Sequence, residues 1–297
     1  MMFDLKNCNL CPRLCGVNRF EQAGACGMGA EVQVARAALH FWEEPPISGE
    51  CGSGTVFFSG CNLGCVYCQN RAISHEKRGK AVSIERLSAL FWKLQEQGAH
   101  NINLVTPTHF APQIMEAVRR YRKEGGSLPM VYNTSGYERK ETIAALSKTV
   151  DIYLADLKYA ESASAQKYSR AADYPCVARE ALLEMVRQVG APQFDERGML
   201  KRGVIVRLLV LPSIEHEAMM NLKWLKKTLG DSIMVSIMNQ YTPVGEHLPK
   251  ELAAPLPQST YATVVNFAKT LGFKYAYMQE GETFRESFIP DFEEETF

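Results

Sequence analysis

The sequence predicts an α/β protein in which a small cysteine-rich module precedes a full or partial β/α barrel. Short apolar runs alternate with amphipathic stretches from Thr55 onward, as in parallel sheets that helices cover on both faces. Six or seven such units follow one another without a second shift in composition, which favours a barrel over two Rossmann halves. Eight of the nine cysteines lie between Cys8 and Cys68, which indicates metal binding near the start of the chain.

The composition limits the classes of protein to consider. The 297 residues include 33 basic and 33 acidic side chains, and 46% of them are hydrophobic, which excludes a disordered chain. Zero net charge argues against partners such as nucleic acid or an anionic membrane surface. The strongest apolar run, Val204 to Leu211, is interrupted by Arg207 and is too short to span a bilayer. Because the first residues also lack the apolar core of a signal peptide, we expect a cytoplasmic protein with reduced cysteines.

Residues 1–50 are predicted to form the cysteine-rich module. Cys8, Cys11, Cys15 and Cys26 follow the spacing C-x₂-C-x₃-C-x₁₀-C in a segment with little apolar periodicity. Four thiolates can close a tetrahedral zinc site or hold a second 4Fe–4S cluster. Since the ferredoxin spacing is absent, the prediction favours zinc, and free structural cysteines are the remaining alternative.

Residues 51–280 are predicted to form the barrel and residues 281–297 an acidic C-terminal tail. The amphipathic stretches carry apolar side chains at helical spacing, from Ile84 to Leu94 and from Ile114 to Tyr121. The predicted strands are Thr55–Ser59, Asn101–Val105, Pro129–Asn133, Asp151–Ala155, Val204–Leu211, Ile233–Met238 and Phe273–Met278.

A second cysteine motif follows the first predicted barrel strand. Cys61, Cys65 and Cys68 have the spacing C-x₃-C-x₂-C, at the end of a strand where α/β proteins place their sites. Three thiolates on one 4Fe–4S cluster leave one iron without a protein ligand, free to bind a substrate or cofactor. The alternative is a zinc knuckle completed by Cys51 or His75.

The string from Cys61 to Asn70, with Tyr67 before its last cysteine, resembles the radical S-adenosylmethionine (SAM) superfamily. Within it, the string is similar to the activating enzymes of glycyl radical enzymes, and the N-terminal Cys-x₂-Cys-Pro-Arg-x-Cys-Gly-Val-Asn-Arg string resembles a branch of pyruvate formate-lyase activating enzyme homologues. The resemblance implies a partial (β/α)₆ TIM-like barrel of the radical SAM type. It also implies that Cys61, Cys65 and Cys68 hold a 4Fe–4S cluster whose open iron binds SAM.

The resemblance further implies an oxidoreductase function. One electron from a reductant such as flavodoxin or ferredoxin would cleave SAM to a 5′-deoxyadenosyl radical. This radical would activate a partner, with a protein as the possible substrate.

The predicted strand ends supply the other candidate residues. The second strand ends in Thr-Pro-Thr-His, which departs from the family's Gly-Gly-Glu-like motif and leaves His109 as a candidate catalytic residue beside Lys158 of the Asp-Leu-Lys signature. An arginine among aliphatic residues should face the barrel interior and an anion, for which the resemblance suggests the SAM carboxylate. The predicted cofactor-binding residues are Tyr67, Asn70, Thr106, Thr108, Asn133, Thr134, Ser135, Asp156, Arg207 and Gln240.

Two alternatives to the activating-enzyme prediction stay open from the sequence. One is a radical SAM enzyme that acts on a small molecule or on a protein residue other than glycine. The other, from a different class, is a zinc-only binding scaffold built on two cysteine knuckles. The polar residues at successive strand ends favour an enzyme over the scaffold.

Overall fold

The computed structural model describes residues 3–244, 248–279 and 292. The helices are α1 (Pro45–Ser48), α2 (Arg71–Ser74), α3 (Ile84–Glu96), α4 (Ala111–Lys123), α5 (Lys140–Ala145), α6 (Ser162–Ser169), α7 (Tyr174–Val189), α8 (Glu215–Leu229) and α9 (Gln258–Leu271). The strands are β1 (Val32–His40), β2 (Ser53–Phe58), β3 (Lys80–Val82), β4 (Ile102–Val105), β5 (Met130–Thr134), β6 (Ile152–Asp156), β7 (Gln193–Phe194), β8 (Leu200–Leu209), β9 (Met234–Met238) and β10 (Ala276–Met278).

One sheet organises the fold, with the strand order β10-β9-β8-β6-β5-β4-β2-β1-β3. Along this order the strands from β2 to β10 are parallel to their neighbours, and β1 is antiparallel to both β2 and β3. The short β7 lies off this path and pairs antiparallel with β8. Within the described part of the chain β3 and β10 form the two edges, so the sheet does not close on itself. The predicted partial barrel of the radical SAM type is therefore confirmed.

Helices pack on the sheet through the apolar faces that the periodicity predicted. In α3 the side chains of Leu87, Leu90, Phe91 and Leu94 are buried, and Ser83 caps the helix by accepting a hydrogen bond from the backbone N–H of Arg86. These faces enclose one side of the core, which continues across the apolar strands to the helices of the second half. No described helix has the length and apolar character needed to cross a membrane.

The strand register aligns the carboxyl ends at one edge of the sheet. Asn133 of β5 lies opposite Val105 of β4, and Asp156 of β6 lies opposite Arg207 of β8. Because parallel neighbours end at the same level, the polar residues at these ends face a common space.

The seven predicted strands are all present, with shifted ends, but β1, β3 and β7 were not predicted. The strand β1 lies within the predicted module and pairs with β2 over His40↔Ser53 to Val34↔Phe58. Its composition is rich in alanine and its exposed and buried residues alternate only in part, so it carries a weak strand signal. Residues 32–40 thus belong to the barrel sheet, and the boundary predicted at residue 50 does not separate two sheets. The predicted tail at 281–297 lies outside the described residues except for Phe292.

The segment before β1 is docked on the loop that carries the second cysteine motif. The backbone N–H of Cys61 donates to the carbonyl of Cys26 over 3.2 Å. Gly60 makes this approach possible, since it has a φ of +82° and a Cβ there would lie 2.4 Å from Met28 Cγ and 2.8 Å from the Cys26 carbonyl oxygen. The two cysteine motifs are therefore direct neighbours in space.

A Gly60→Ala substitution is expected to destabilise the protein more than Gly64→Ala. Both positions have positive φ, which costs an alanine about 1–2 kcal/mol, but Gly64 has nothing within 4 Å of its Cβ position. At Gly60 the clash adds the cost of overpacking, about 1–3 kcal/mol. Urea unfolding of both variants measures the difference, and equal losses of unfolding free energy would contradict the proposed close contact.

Candidate active site at the carboxyl ends of the strands

A cavity of about 220 Å³ lies at the carboxyl ends of the parallel strands. The loop after β2 forms one wall and places Cys61, Cys65 and Cys68 on it. The remaining walls come from the ends of β4, β5, β6, β8 and β9. Most of the predicted cofactor-binding and catalytic residues line this cavity: Tyr67, Asn70, Thr106, Asn133, Thr134, Ser135, Asp156, Lys158, Arg207 and Gln240.

Each of the three cysteine sulfurs accepts at least one hydrogen bond. The backbone N–H of Leu63 donates to Cys61 Sγ over 3.4 Å. The hydroxyl of Ser169 donates to Cys65 Sγ over 3.0 Å. The third donor is the Ser74 hydroxyl, 3.2 Å from the Sγ of Cys68. Donors of this kind stabilise thiolate charge and adjust the potential of a cluster that thiolates hold.

The cysteine sulfurs fit a site for a positively charged metal centre. Burial, together with the charges of the neighbouring Cys68 and Cys65, raises the pKa of Cys61 to about 12. Burial also raises the pKa of Cys68. Buried thiols that face one another lose their protons only when a cation balances the charge. Three convergent sulfurs with at least one donor each match the protein ligand set of a 4Fe–4S cluster with an open iron.

A chain of hydroxyl groups supports the sulfur of Cys65. The hydroxyls of Tyr67 and Tyr159 are 2.8 Å apart, and the Tyr159 hydroxyl lies 2.6 Å from that of Ser169. The Ser169 hydroxyl in turn donates to Cys65 Sγ. The aromatic residue before the last cysteine therefore anchors the loop through its hydroxyl while its ring lines the cavity.

A buried ion network closes the floor of the cavity. The Nε of Arg207 donates to Asp156 Oδ1 over 2.8 Å, and the ammonium of Lys158 lies 2.5 Å from Asp156 Oδ2. Burial raises the pKa of Asp156, but the charges of Arg207 and Lys158 outweigh it and lower that pKa overall. The carboxylate thus stays ionised and fixes two cations at adjacent strand ends.

Glu43, in the loop after β1, is a partner of this network that sequence reasoning missed. Its carboxylate accepts from Arg207 Nη1 over 3.2 Å, from Asn103 over 2.9 Å and from Asn133 over 3.1 Å. The adjacent Glu44 is also buried, and burial raises the pKa of both acids. The paired acids before two prolines were visible in the sequence, but their place at the site depends on the unpredicted strand β1.

Two predicted residues, Thr108 and His109, do not line the cavity. His109 is buried, with Nε2 2.7 Å from the carbonyl oxygen of Ser59, and burial lowers its pKa to about 3. Thr108 donates to Glu138 Oε1 over 2.6 Å. Both side chains lie in the turn that follows β4 and hydrogen-bond to buried polar groups in the segments after β2 and β5.

Glu138 is a further buried acid behind the cavity wall that sequence reasoning missed. Its Oε1 also accepts from the hydroxyl of Thr134 over 2.5 Å. Burial raises the pKa of Glu138 to about 7, and the hydroxyl donors Thr108 and Thr134 offset this effect only in part. The residue therefore changes charge near neutral pH in the folded protein.

The four N-terminal cysteines lie near one another, and their thiols interact. Burial raises the pKa of Cys11 to about 12, with further contributions from the neighbouring Cys26 and Cys8. Burial also acts on Cys15, but the backbone N–H groups that face its sulfur outweigh it, so its pKa is lowered. At Gly24 a Cβ would lie 3.3 Å from the Sγ of Cys15 and 3.7 Å from that of Cys26. A residue without a side chain thus separates two of the sulfurs.

Comparison with known proteins places this site in a family. Residues 55–219 match the family profile of the radical SAM superfamily. The uncharacterized protein MJ0674 of Methanocaldococcus jannaschii is 29% identical over 255 residues, which cover 83% of this chain and 68% of that protein.

One solved structure shares the fold at low sequence identity, and a second aligns less well. The crystal structure of Streptococcus suis SuiB bound to S-adenosylmethionine aligns with a TM-score of 0.50 and 10% identity, over 75% of this chain and 49% of SuiB. Another SuiB structure aligns with a TM-score of 0.49 and 9% identity, over 78% and 49% of the two chains. The chain spans about half the length of the SuiB structures it matches.

The folded protein is expected to lose stability as the pH rises from 5 to 8 because of Glu138. Its pKa of about 7 in the folded state exceeds that of an unfolded glutamate, so the unfolded chain releases the proton first and rising pH favours unfolding. A Glu138→Gln substitution should remove about 3 kcal/mol of this dependence. Urea unfolding at several pH values measures it. The exposed Glu141→Gln serves as control, and an unchanged pH slope in Glu138→Gln would contradict the assignment.

Proposed function

The chain belongs to the radical SAM superfamily, and we propose on this basis that it is a radical SAM oxidoreductase that activates a partner protein, as glycyl radical enzyme activating enzymes do. The superfamily implies an enzyme with a 4Fe–4S cluster and SAM as cofactors. The observation that carries the proposal is the cavity in which three hydrogen-bonded cysteine sulfurs face the charged ends of β6 and β8.

Cys61, Cys65 and Cys68 would hold the cluster. When bound, the cluster and SAM supply one-electron cleavage of the sulfonium and a 5′-deoxyadenosyl radical that abstracts hydrogen from the substrate. The protein provides the three thiolates, and their hydrogen-bond donors keep the sulfurs oriented toward the cavity.

Lys158 is the cavity cation best placed to bind a carboxylate of SAM. One N–H of its ammonium donates to Asp156, and the others can donate to a ligand. The pKa of Lys158 is raised because Asp156 outweighs the effect of burial, so the group stays charged. Arg207 was predicted for this role, but it already donates to Asp156, Glu43 and Asn133. We propose that the role of Arg207 is instead to hold the strand ends in position.

Neutral polar groups around the same cavity would orient the rest of the cofactor. Asn70, Thr134, Ser135 and Gln240 offer donors and acceptors on several walls. Thr106 has a φ of +58° at the end of β4, a backbone conformation that costs a threonine free energy and is most frequent at functional sites. Tyr67 contributes an aromatic wall that excludes water from the sulfurs.

The identity of the substrate distinguishes the proposed activating role from the alternative radical SAM reaction. A glycyl radical detected by electron paramagnetic resonance in a co-incubated partner enzyme would support the activating role. Modification of a small molecule, or of a protein residue other than glycine, would favour the alternative radical SAM reaction. A reductant such as flavodoxin or ferredoxin is required in either case.

We propose that Cys8, Cys11, Cys15 and Cys26 hold a second metal centre, either zinc or a second 4Fe–4S cluster. The proximity of the four cysteines to one another supports a metal. The contact between the Cys26 carbonyl and the N–H of Cys61 joins this centre to the loop of the first cluster. A structural centre would hold the loop in place, and a redox centre would also pass electrons to it.

The reconstituted protein is expected to convert SAM to 5′-deoxyadenosine when it is reduced with dithionite under anaerobic conditions. A Cys65→Ala substitution should abolish this product because the cluster would lose one of three protein ligands. Cys176→Ala, at an exposed cysteine that does not line the cavity, should leave it unchanged. Chromatographic measurement of the product tests this expectation. Zinc without iron at the three cysteines, and no product, would instead support the scaffold alternative.

Metal analysis distinguishes the two forms of the N-terminal centre. A variant with Cys8, Cys11, Cys15 and Cys26 changed to serine should lose one zinc per chain if the centre is zinc, and four irons if it is a second cluster. Iron bound by the loop after β2 should remain in both cases. Unchanged zinc and iron contents would show that the four cysteines bind no metal.

A further inference from the structure

A second cavity, of about 540 Å³, lies on the other side of the loop between β2 and α2. Its walls include Cys61, Gly64 and Val66 of this loop together with Ala25 of the N-terminal module. Of the three loop cysteines, only Cys61 lines both this outer cavity and the cavity at the strand ends. The loop therefore separates two spaces, and Cys61 is accessible from each of them.

Cationic side chains surround the outer cavity. Arg13, Arg71 and Arg170 line it beside His75, and no carboxylate is among its described lining residues. Arg71 and Arg170 are exposed, and the described carboxylates form no ion pair with either side chain. Burial lowers the pKa of His75, the charges of Arg71 and Arg170 lower it as well, and the Gly64 backbone and the Glu76 carboxylate oppose this effect only in part. The arginine charges thus face the same space.

Arg13 holds the floor of the outer cavity. Its guanidinium donates to the carbonyls of Asn62 and Leu63 over 2.9 and 3.1 Å. It also donates to the carbonyls of Ser169 and Arg170 over 3.0 and 2.5 Å. These four bonds join the cysteine loop to the end of α6, so the backbone that carries Cys61 and Arg170 is kept in one arrangement.

We propose that an acidic electron-transfer protein of the flavodoxin type docks on the outer cavity and delivers its electron through the Cys61 side of the loop. This inference rests on the proposed function, in which SAM and the substrate occupy the cavity at the strand ends. One electron then has to reach the cluster from another direction. In the transfer the donor's reduced flavin loses one electron and the cluster gains it, with no bond formed or broken.

The charge of the outer cavity favours an acidic protein over other partners. Unpaired arginines on a rim attract an anionic surface and accelerate association, and salt screens this attraction. The proposed docking surface is separate from the site proposed for SAM cleavage, because SAM would bind in the cavity at the strand ends. A small anion could use the same cations, so the test includes inorganic phosphate.

The experiment compares the double variant Arg71→Glu/Arg170→Glu with Arg197→Glu, an exposed arginine in the turn between β7 and β8. Isothermal titration calorimetry measures binding of an oxidised acidic flavodoxin to each protein at low and at high salt. Formation of 5′-deoxyadenosine is then followed with reduced flavodoxin and, separately, with dithionite, which needs no docking surface.

The expected result is a dissociation constant at least about tenfold higher for the double variant at low salt. Its product formation with flavodoxin should fall by a similar factor, while formation with dithionite stays within about twofold of the parent. Arg197→Glu should resemble the parent in every measurement.

Unchanged flavodoxin binding in the double variant, or equal losses with both reductants, would overturn the docking inference. Loss of phosphate binding with unchanged flavodoxin binding would also overturn it and assign the cavity to a small anion. Failure of the parent protein to cleave SAM with dithionite would count against the proposed function itself, which keeps the two failures distinct.

Discussion

The guanidinium of Arg207, buried among the strand ends, imposes the constraint on which the site depends. A charge in such a place is stable only with partners on several sides. Asp156 comes from the neighbouring strand, Asn133 from the strand beyond it, and Glu43 from the loop after β1. The hydrogen bonds to this one guanidinium therefore align the ends of β5, β6 and β8 and hold the loop after β1 against them. The ionised Asp156 then holds Lys158 toward the cavity.

The cysteine loop is held in the same way by contacts from both of its sides. Toward the barrel, Ser74 and Ser169 donate to the sulfurs of Cys68 and Cys65. Toward the N-terminal module, the N–H of Cys61 meets the carbonyl of Cys26. Leu63 and Tyr67 of this loop are also buried in the core, so polar contacts and packing together set its conformation. The result is a rigid wall with one chemical environment on each side.

Local signals allowed much of this arrangement to be predicted. The parallel strands were visible as apolar runs, and the cysteine spacing marked the loop at the end of the first of them. The strand-end position of Asp156, Lys158 and Arg207 followed from the rule that sites lie at carboxyl ends. His109 shows the limit of that rule, because a polar residue after a strand can turn behind the cavity and satisfy a buried carbonyl instead.

Local patterns in the chain were enough to predict the parallel sheet, the three-cysteine loop and the set of strand-end residues, because each depends on periodicity or spacing within a short stretch. The contact of Glu43 with Arg207, the burial of Glu138 behind the wall, and the cavity that Arg71 and Arg170 share with Cys61 became known only from the folded molecule. These relations join residues far apart in the chain through the register of the sheet and the docking of the N-terminal module. No local pattern encodes such distances, since they result from how all the elements pack at once.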